Sequence, residues 1–173
     1  QTRRRHLGLE FDTLRFCALH ATSISHATNC AVAASAILDF QGPLATGVRL
    51  LEAILLRADI TDFQRMRLAP LLSRFHEQDN TRVMRLELLE NALKTAQEWN
   101  NRRFEGILLR AMGTLHHEEA NTAEAEKHYN LALAAHLEPT HDRLRAITIT
   151  HLSRLYLQKG MLQDAESQLE EAL

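Results

Sequence analysis

Two stretches of this chain, forty residues apart, carry large and small side chains in one order. Leu152, Tyr156, Gly160, Ala165, Leu169 and Ala172 stand at offsets 0, 4, 8, 13, 17 and 20, and Met112, His116, Ala120, Ala125, Tyr129 and Ala132 repeat those offsets upstream. Gly113 follows Met112 where Ser153 follows Leu152. Steps of three and four keep side chains on one face of an α-helix, whereas a strand needs period two. The register therefore describes a pair of helices, repeated once. Small residues let two helix axes approach, and bulky neighbours fill the space beside them.

The same period reads along the whole chain. Apolar residues at i, i+3, i+4 and i+7 predict nine helices over about 6–22, 27–41, 43–57, 62–77, 81–99, 102–119, 122–136, 141–159 and 161–173. Six Gly and three Pro in 173 residues are too few for the turns of an all-β sandwich, so no sheet is expected. With 45% hydrophobic but 5% aromatic content, the core should be built of Leu, Ala and Ile.

The breaks have local causes. Gly42-Pro43 places a residue able to adopt positive φ at a helix end and a Pro at the next helix's first position. Asn121 with Glu124 forms a capping-box pattern, Glu138-Pro139-Thr140 stops one helix before the next, and Lys159-Gly160 makes a one-residue hinge. Connections this short make neighbouring helices antiparallel hairpins.

Met112-Gly113, Tyr156, Gly160, Ala125, Ala165, Tyr129, Ala132 and Ala172 together resemble the tetratricopeptide repeat, whose first helix carries a Leu-Gly pair then Tyr, and whose second carries Ala, a bulky residue and Ala. The spacing of forty resembles the longer variety, found in adaptor proteins and in sensor regions of large signalling ATPases and transcription activators. The resemblance implies an all-α, right-handed superhelix of stacked antiparallel hairpins, a TPR-like α-solenoid. Residues 1–26 would form an N-terminal helix or cap, followed by hairpins over 27–60, 61–100, 101–139 and 140–173. Met112, Gly113, His116, Ala125, Tyr129, Ala132, Leu152, Tyr156, Gly160, Ala165, Leu169 and Ala172 would be the packing positions.

Upstream the register weakens to Leu72, Ser73, His76, Asn80, Arg85, Leu89, Ala92, and then Ala34, Ser35, Leu38, Gly42, Gly47, Leu51, Ile54. Arg85 stands where a small residue is expected. Pro70 inside a first helix predicts a kink or looser packing there.

A net charge of −2 supplies no general field for a polyanion or an acidic membrane, so neither direct nucleic-acid contact nor membrane binding is expected. Cys17 and Cys30 lie on different helices without a C-x-x-C pair, which favours reduced thiols and a cytoplasmic location. No run approaches the length of a membrane span, and Arg3, Arg4 and Arg5 read as a solvated terminus. A start without Met and an end within a helical pattern suggest a piece of something larger.

No catalytic motif is present: no G-x-S-x-G, no phosphate loop, no dinucleotide fingerprint. No catalytic residue, metal or cofactor is therefore assigned. Ten histidines invite a metal, but His116, His117, Glu118 and Glu119 are adjacent on one helix and point about 100° apart, and no H-E-x-x-H spacing occurs. His116 takes the packing place of Tyr156. His136, His141 and His151 read as polar residues at helix ends or faces, and Trp99 as a plug between repeats.

Transferring the repeat family's inward positions selects a partner-binding groove: Arg67 and Arg74, with Glu77 and Gln78; then Arg110, Thr114, His117 and Glu118; then Thr150, Arg154 and Gln158. Arg74, Thr114 and Arg154 occupy one equivalent place in successive repeats. Repeated arginines suit bidentate pairing with carboxylates. The family's carboxylate clamp uses Lys and Asn where Arg110 and Thr114 stand, so a chain-terminal carboxylate held in that manner is not expected.

The implied function is a non-catalytic interaction module holding a protein or peptide partner. The alternative is an effector-sensing or autoinhibitory segment whose partner is a neighbouring domain of the same larger protein. Apolar end faces near Leu169 and Leu173 offer a route to a homodimer. If the register is right, Ala125→Leu or Ala165→Leu overpacks a helix crossing and costs about 1 to 3 kcal/mol in chemical denaturation, and two neutral substitutions would refute it.

Overall fold

Each expected segment is a helix, with ends shifted by at most four residues. In the computed structural model they are α1 Thr2–His20, α2 Ile24–Gln41, α3 Leu44–Leu55, α4 Asp62–Phe75, α5 Arg82–Glu98, α6 Arg102–Glu118, α7 Thr122–Ala135, α8 Asp142–Gln158 and α9 Leu162–Glu171, with a 3₁₀ turn at Pro139–His141. The structure describes residues 2–75 and 82–171, and the side chains among them other than 2–7, 40, 41, 82 and 171. No strand occurs among the described residues. His76, Glu77, Gln78, Asn80, Ala172 and Leu173 lie outside them. The protein is an all-α helical repeat that divides into two compact units, Gln1–Leu88 and Leu89–Leu173, with the division inside α5.

In the first unit each helix packs on the next, and α1 also meets α3 while α2 meets α4, the contact pattern of stacked hairpins. The centre of α2 explains it. Ala27, Ala31 and Ala34 are fully buried on one stripe, leaving room for α1, and Leu38 extends that stripe towards Leu50, Leu51, Ile54, Leu72 and Phe75. Arg57 ties the connection after α3 to the end of α1, donating from Nη1 to the Ala21 carbonyl at 2.7 Å and from Nη2 to the Thr22 carbonyl at 3.2 Å. Those carbonyls have no helical partner of their own, so the guanidinium replaces water at a helix end.

Two expectations about breaks are corrected here. Gly42 is extended, with φ −111°, and Pro43 is the residue before the helix rather than its first member. The missing Cβ at Gly42 matters because Leu38 occupies that space. Pro70 does not loosen α4: the helix runs through it, and Leu68, Ala69, Leu72, Ser73 and Phe75 around it are all buried. Burial on both sides of the ring outweighs the one amide hydrogen bond lost there.

In the second unit α6 packs most extensively on α7, α7 on α8, α8 on α9, and α6 on α8. Gly113 and Gly106 set the α6–α7 approach. A Cβ on Gly113 would lie 2.7 Å from the Tyr129 ring, and one on Gly106 would overlap the His136 ring. Tyr129 is completely buried, with Ala125, Leu152 and Leu155 around it. Ala132 and Ala165 are buried at 0% and 1% exposure, Met112 at 5% and His116 at 8%. Leu169 differs from the expected packing role: it is 42% exposed on α9, whose packing is mainly against α8.

One turn recurs three times. Asn100, Ala120 and Gly160 have φ of 51°, 57° and 75° and follow α5, α6 and α8. The next residue in each case returns an amide hydrogen bond to the last turn: Asn101 to Ala96 at 2.8 Å, Asn121 to His116 at 2.9 Å, Met161 to Tyr156 at 2.9 Å. This is the Schellman closure, which satisfies orphan carbonyls through one left-handed residue. Asn101 and Asn121 then cap the following helix, accepting from the amides of Phe104 at 3.2 Å and Glu124 at 3.4 Å. The expected capping box is only half formed, because the Glu124 carboxylate pairs with Lys127 at 3.0 Å. Gly160 is corrected from a close-packing residue to a conformational one, since a Cβ there would meet nothing.

The three turns use side chains of unequal tolerance. Asn and Gly accept the left-handed region readily, whereas Ala strains its Cβ against the following carbonyl. Ala120→Gly should raise stability by about 0.5 to 1 kcal/mol, and Gly160→Ala should lower it by a similar amount. Thermal unfolding followed by circular dichroism checks both, and shifts of the same sign would contradict the shared turn.

Candidate functional site

The face shared by α6 and α8 brings charged, hydroxyl and imidazole side chains of the second unit together. Arg110, Thr114, His117 and Glu118 come from α6, and Thr150, His151, Arg154 and Gln158 from α8. The helices are joined directly, with His117 Nε2–H donating to the Gln158 side-chain carbonyl. Beneath them the Tyr129 hydroxyl of α7 donates to Thr114 Oγ1 at 3.4 Å, and Thr114 itself donates to the Arg110 carbonyl at 3.1 Å. The Tyr129 ring stacks on His151 at 5.8 Å between centroids and meets His117 edge-on at 6.5 Å.

The electrostatics of this face converge on Tyr129 and His151. Burial pushes the Tyr129 phenol above its usual range; the Thr114 hydrogen bond and the Arg154 and Arg110 charges oppose that push, and Glu118 adds to it. His151 is pushed down to about 4, first by burial and then by Arg110, Arg154 and His117. Its Nδ1 is buried without a hydrogen-bond partner among the described residues. Two guanidinium groups therefore act on one buried phenol and one neutral imidazole. Arg154 is exposed and has no ion-pair partner among the described residues. Thr150 turns inward to its own helix, donating to the Ala146 carbonyl at 2.9 Å.

Of the first unit's groove positions, Arg67 and Arg74 are already engaged there, and Glu77 and Gln78 lie outside the described residues. Arg74 pairs with Asp39 of α2 and lies over the Phe75 ring, and Arg67 lies over the Phe63 ring at 5.8 Å. His116 is buried and stacks on His128 at 5.0 Å. His136 and His141 stand by the Pro139 turn as expected, but they are not surface residues: they are 0% and 8% exposed, with their rings edge to face at 5.5 Å. His136 fills the space over Gly106 and donates from Nε2 to the Arg103 carbonyl at 3.1 Å. Trp99 is corrected from a plug between repeats to a ring 49% exposed. Cys17 and Cys30 are free thiols, each partly buried.

His151 and the Tyr129 hydroxyl are members of the face that sequence reading leaves out. The signal for His151 lay in its neighbours, since it precedes Leu152 and sits one turn from Arg154 and Ile147. For Tyr129 the packing role hid the hydroxyl. Among the described residues no group of three His, Cys, Asp or Glu side chains is placed to hold a metal ion, and no helix is long and apolar enough to cross a membrane.

No family model matches the chain, and no curated protein matches it. Among solved structures it is similar to BtubC (BKLC) from P. vanneervenii, with a TM-score of 0.70 and 17% identity over 98% of this chain and 71% of that one. The likeness shows the helical-repeat fold.

The depressed histidine fixes a pH dependence. His151 is neutral in the folded chain until about pH 4, whereas in the unfolded chain it takes a proton near 6.5. Its contribution is complete above pH 6.5 and is lost as pH falls from there towards 4. Burial of His136 acts in the same direction. Between pH 7.5 and 5 the His151 share should cost on the order of 1 to 2 kcal/mol. His151→Gln should flatten that part of the melting temperature profile, and an unchanged slope would contradict it.

Proposed function

We propose that this chain is a non-catalytic, tetratricopeptide-like interaction module whose α6–α8 face binds an acidic segment of a protein partner. The observation that carries the reading is the convergence of Arg110 and Arg154 on Tyr129 and His151. The guanidinium of Arg154 is a planar fork suited to a carboxylate, and its exposure leaves it ready for one. Tyr129 and His151 supply a neutral, partly dehydrated floor on which a charge-assisted hydrogen bond counts for more than in open water. The His117–Gln158 bond holds the two helices in one arrangement, so little ordering is left for the partner to impose.

The tetratricopeptide reading rests on the close seat of Tyr129 over Gly113, the buried Ala125, Ala132 and Ala165, and the turn repeated at Ala120 and Gly160. Those features belong to packing.

Arg110→Ala with Arg154→Ala should weaken binding of a glutamate-rich peptide by about tenfold or more while helicity and melting temperature stay nearly unchanged. Calorimetric titration at two salt concentrations measures it, with binding falling as salt rises. Peptide binding should also raise the pKa of His151 by offsetting the two arginine charges, visible in the imidazole resonances. Equal affinity in the double variant would reject the reading.

A further inference from the structure

A cleft of about 530 Å³ lies at the first turn of α6, and Trp99, Asn101, Arg102, Arg103, Glu138 and His141 line it. Three features meet there. The first turn of a 17-residue helix places the positive end of its dipole at the cleft, with the amides of Arg102, Phe104 and Glu105 already bonded to Asn100 and Asn101. Arg103 is exposed, and its side chain has no partner among the described residues, while Arg102 is held by Glu105 at 2.9 Å. His141 is 8% exposed, yet its Nδ1 has no hydrogen-bond partner among the described residues. A buried polar atom without a partner is uncommon in folded proteins, and the His141 ring forms part of the cleft wall.

Trp99 adds an apolar wall. Its indole is 49% exposed at the edge of the cleft. An exposed planar ring beside fixed positive charge suits a ligand that is itself planar at one end and anionic at the other. The volume exceeds that of a single ion. The opposing charges are Glu138, exposed on the rim, and Asp142, which follows His141 in sequence at the start of α8. Glu105 is occupied by Arg102.

We propose that this cleft binds a small organic anion, a carboxylate or phosphate attached to a planar ring, with the anionic group between Arg103, the first turn of α6 and His141 and the ring on Trp99. The site is independent of the α6–α8 face and asks nothing of it.

Trp99 is the single tryptophan of the chain, so intrinsic fluorescence reports on this cleft alone. Titration with phenyl phosphate and with phenylacetate should give a saturable change, and whichever binds more tightly identifies the anionic group. Inorganic phosphate and acetate, which lack the ring, should bind at least about tenfold more weakly. Arg103→Ala should weaken the tighter ligand by about tenfold, and Glu138→Gln should strengthen it severalfold. Both side chains are exposed, so melting curves should be unchanged and a loss of binding can be separated from a loss of fold. The proposal is overturned by no saturable change below about 10 mM, by equal binding of the ringless anions, or by an Arg103→Ala chain that binds as tightly as the parent.

Discussion

The second unit is organised around two absent side chains. Gly113 and Gly106 are seven residues apart on α6, and the rings of Tyr129 and His136, seven apart on α7, occupy the volumes their Cβ atoms would take. A methyl at either place would push the helices apart, because a packed interior yields little before it strains. Close approach brings the Tyr129 hydroxyl within reach of Thr114, the residue next to Gly113 on α6. From there α8 can stack against both α6 and α7, carrying His151 onto the phenol ring. The groups of the candidate face thus depend on Gly113, which seats the Tyr129 ring.

The first unit solves the same packing problem with different residues. Ala27, Ala31 and Ala34 give α2 a shallow stripe, so α1 approaches along its length and not at one or two points. An alanine stripe buries less area per residue than a tyrosine on a glycine. Two hydroxyls are buried on α2 as well, Thr28 and Ser35, and Ser35 donates to the Ala31 carbonyl at 2.8 Å. Arg57 closes the α1 terminus, and Arg74 pairs with Asp39.

Helix positions are legible in the sequence because period, caps and breakers act within a few residues. The Ala120 and Gly160 turns share offset eight of the register, and both adopt the left-handed state. What fails is what depends on a distant neighbour. Gly42 carries a turn signal, but Leu38 uses its bareness for packing with an extended backbone. Pro70 reads as a breaker, yet burial around it holds the helix together. His136 and His141 sit where polar residues end helices, and only the fold reveals that Gly106 leaves one of them a cavity. On the α6–α8 face, the inward positions implied by the tetratricopeptide resemblance pick out Arg110, Thr114, His117, Arg154 and Gln158. His151 needed knowledge of what lies across from it.

A histidine ring beside arginine is common to the two candidate sites. A protonated imidazole at His151 would repel Arg110 and Arg154 in a partly dehydrated setting, so the folded chain keeps it neutral and spends positive charge only on guanidinium groups. Guanidinium is weakly hydrated and remains charged at any relevant pH, which makes it the less costly cation to hold beside an aromatic floor. A carboxylate arriving at that floor would neutralise the pair and remove the main obstacle to protonating His151. Binding and protonation are then linked with a definite sign: an acidic ligand favours the protonated imidazole, and mild acid favours the acidic ligand as long as its carboxylates remain ionised.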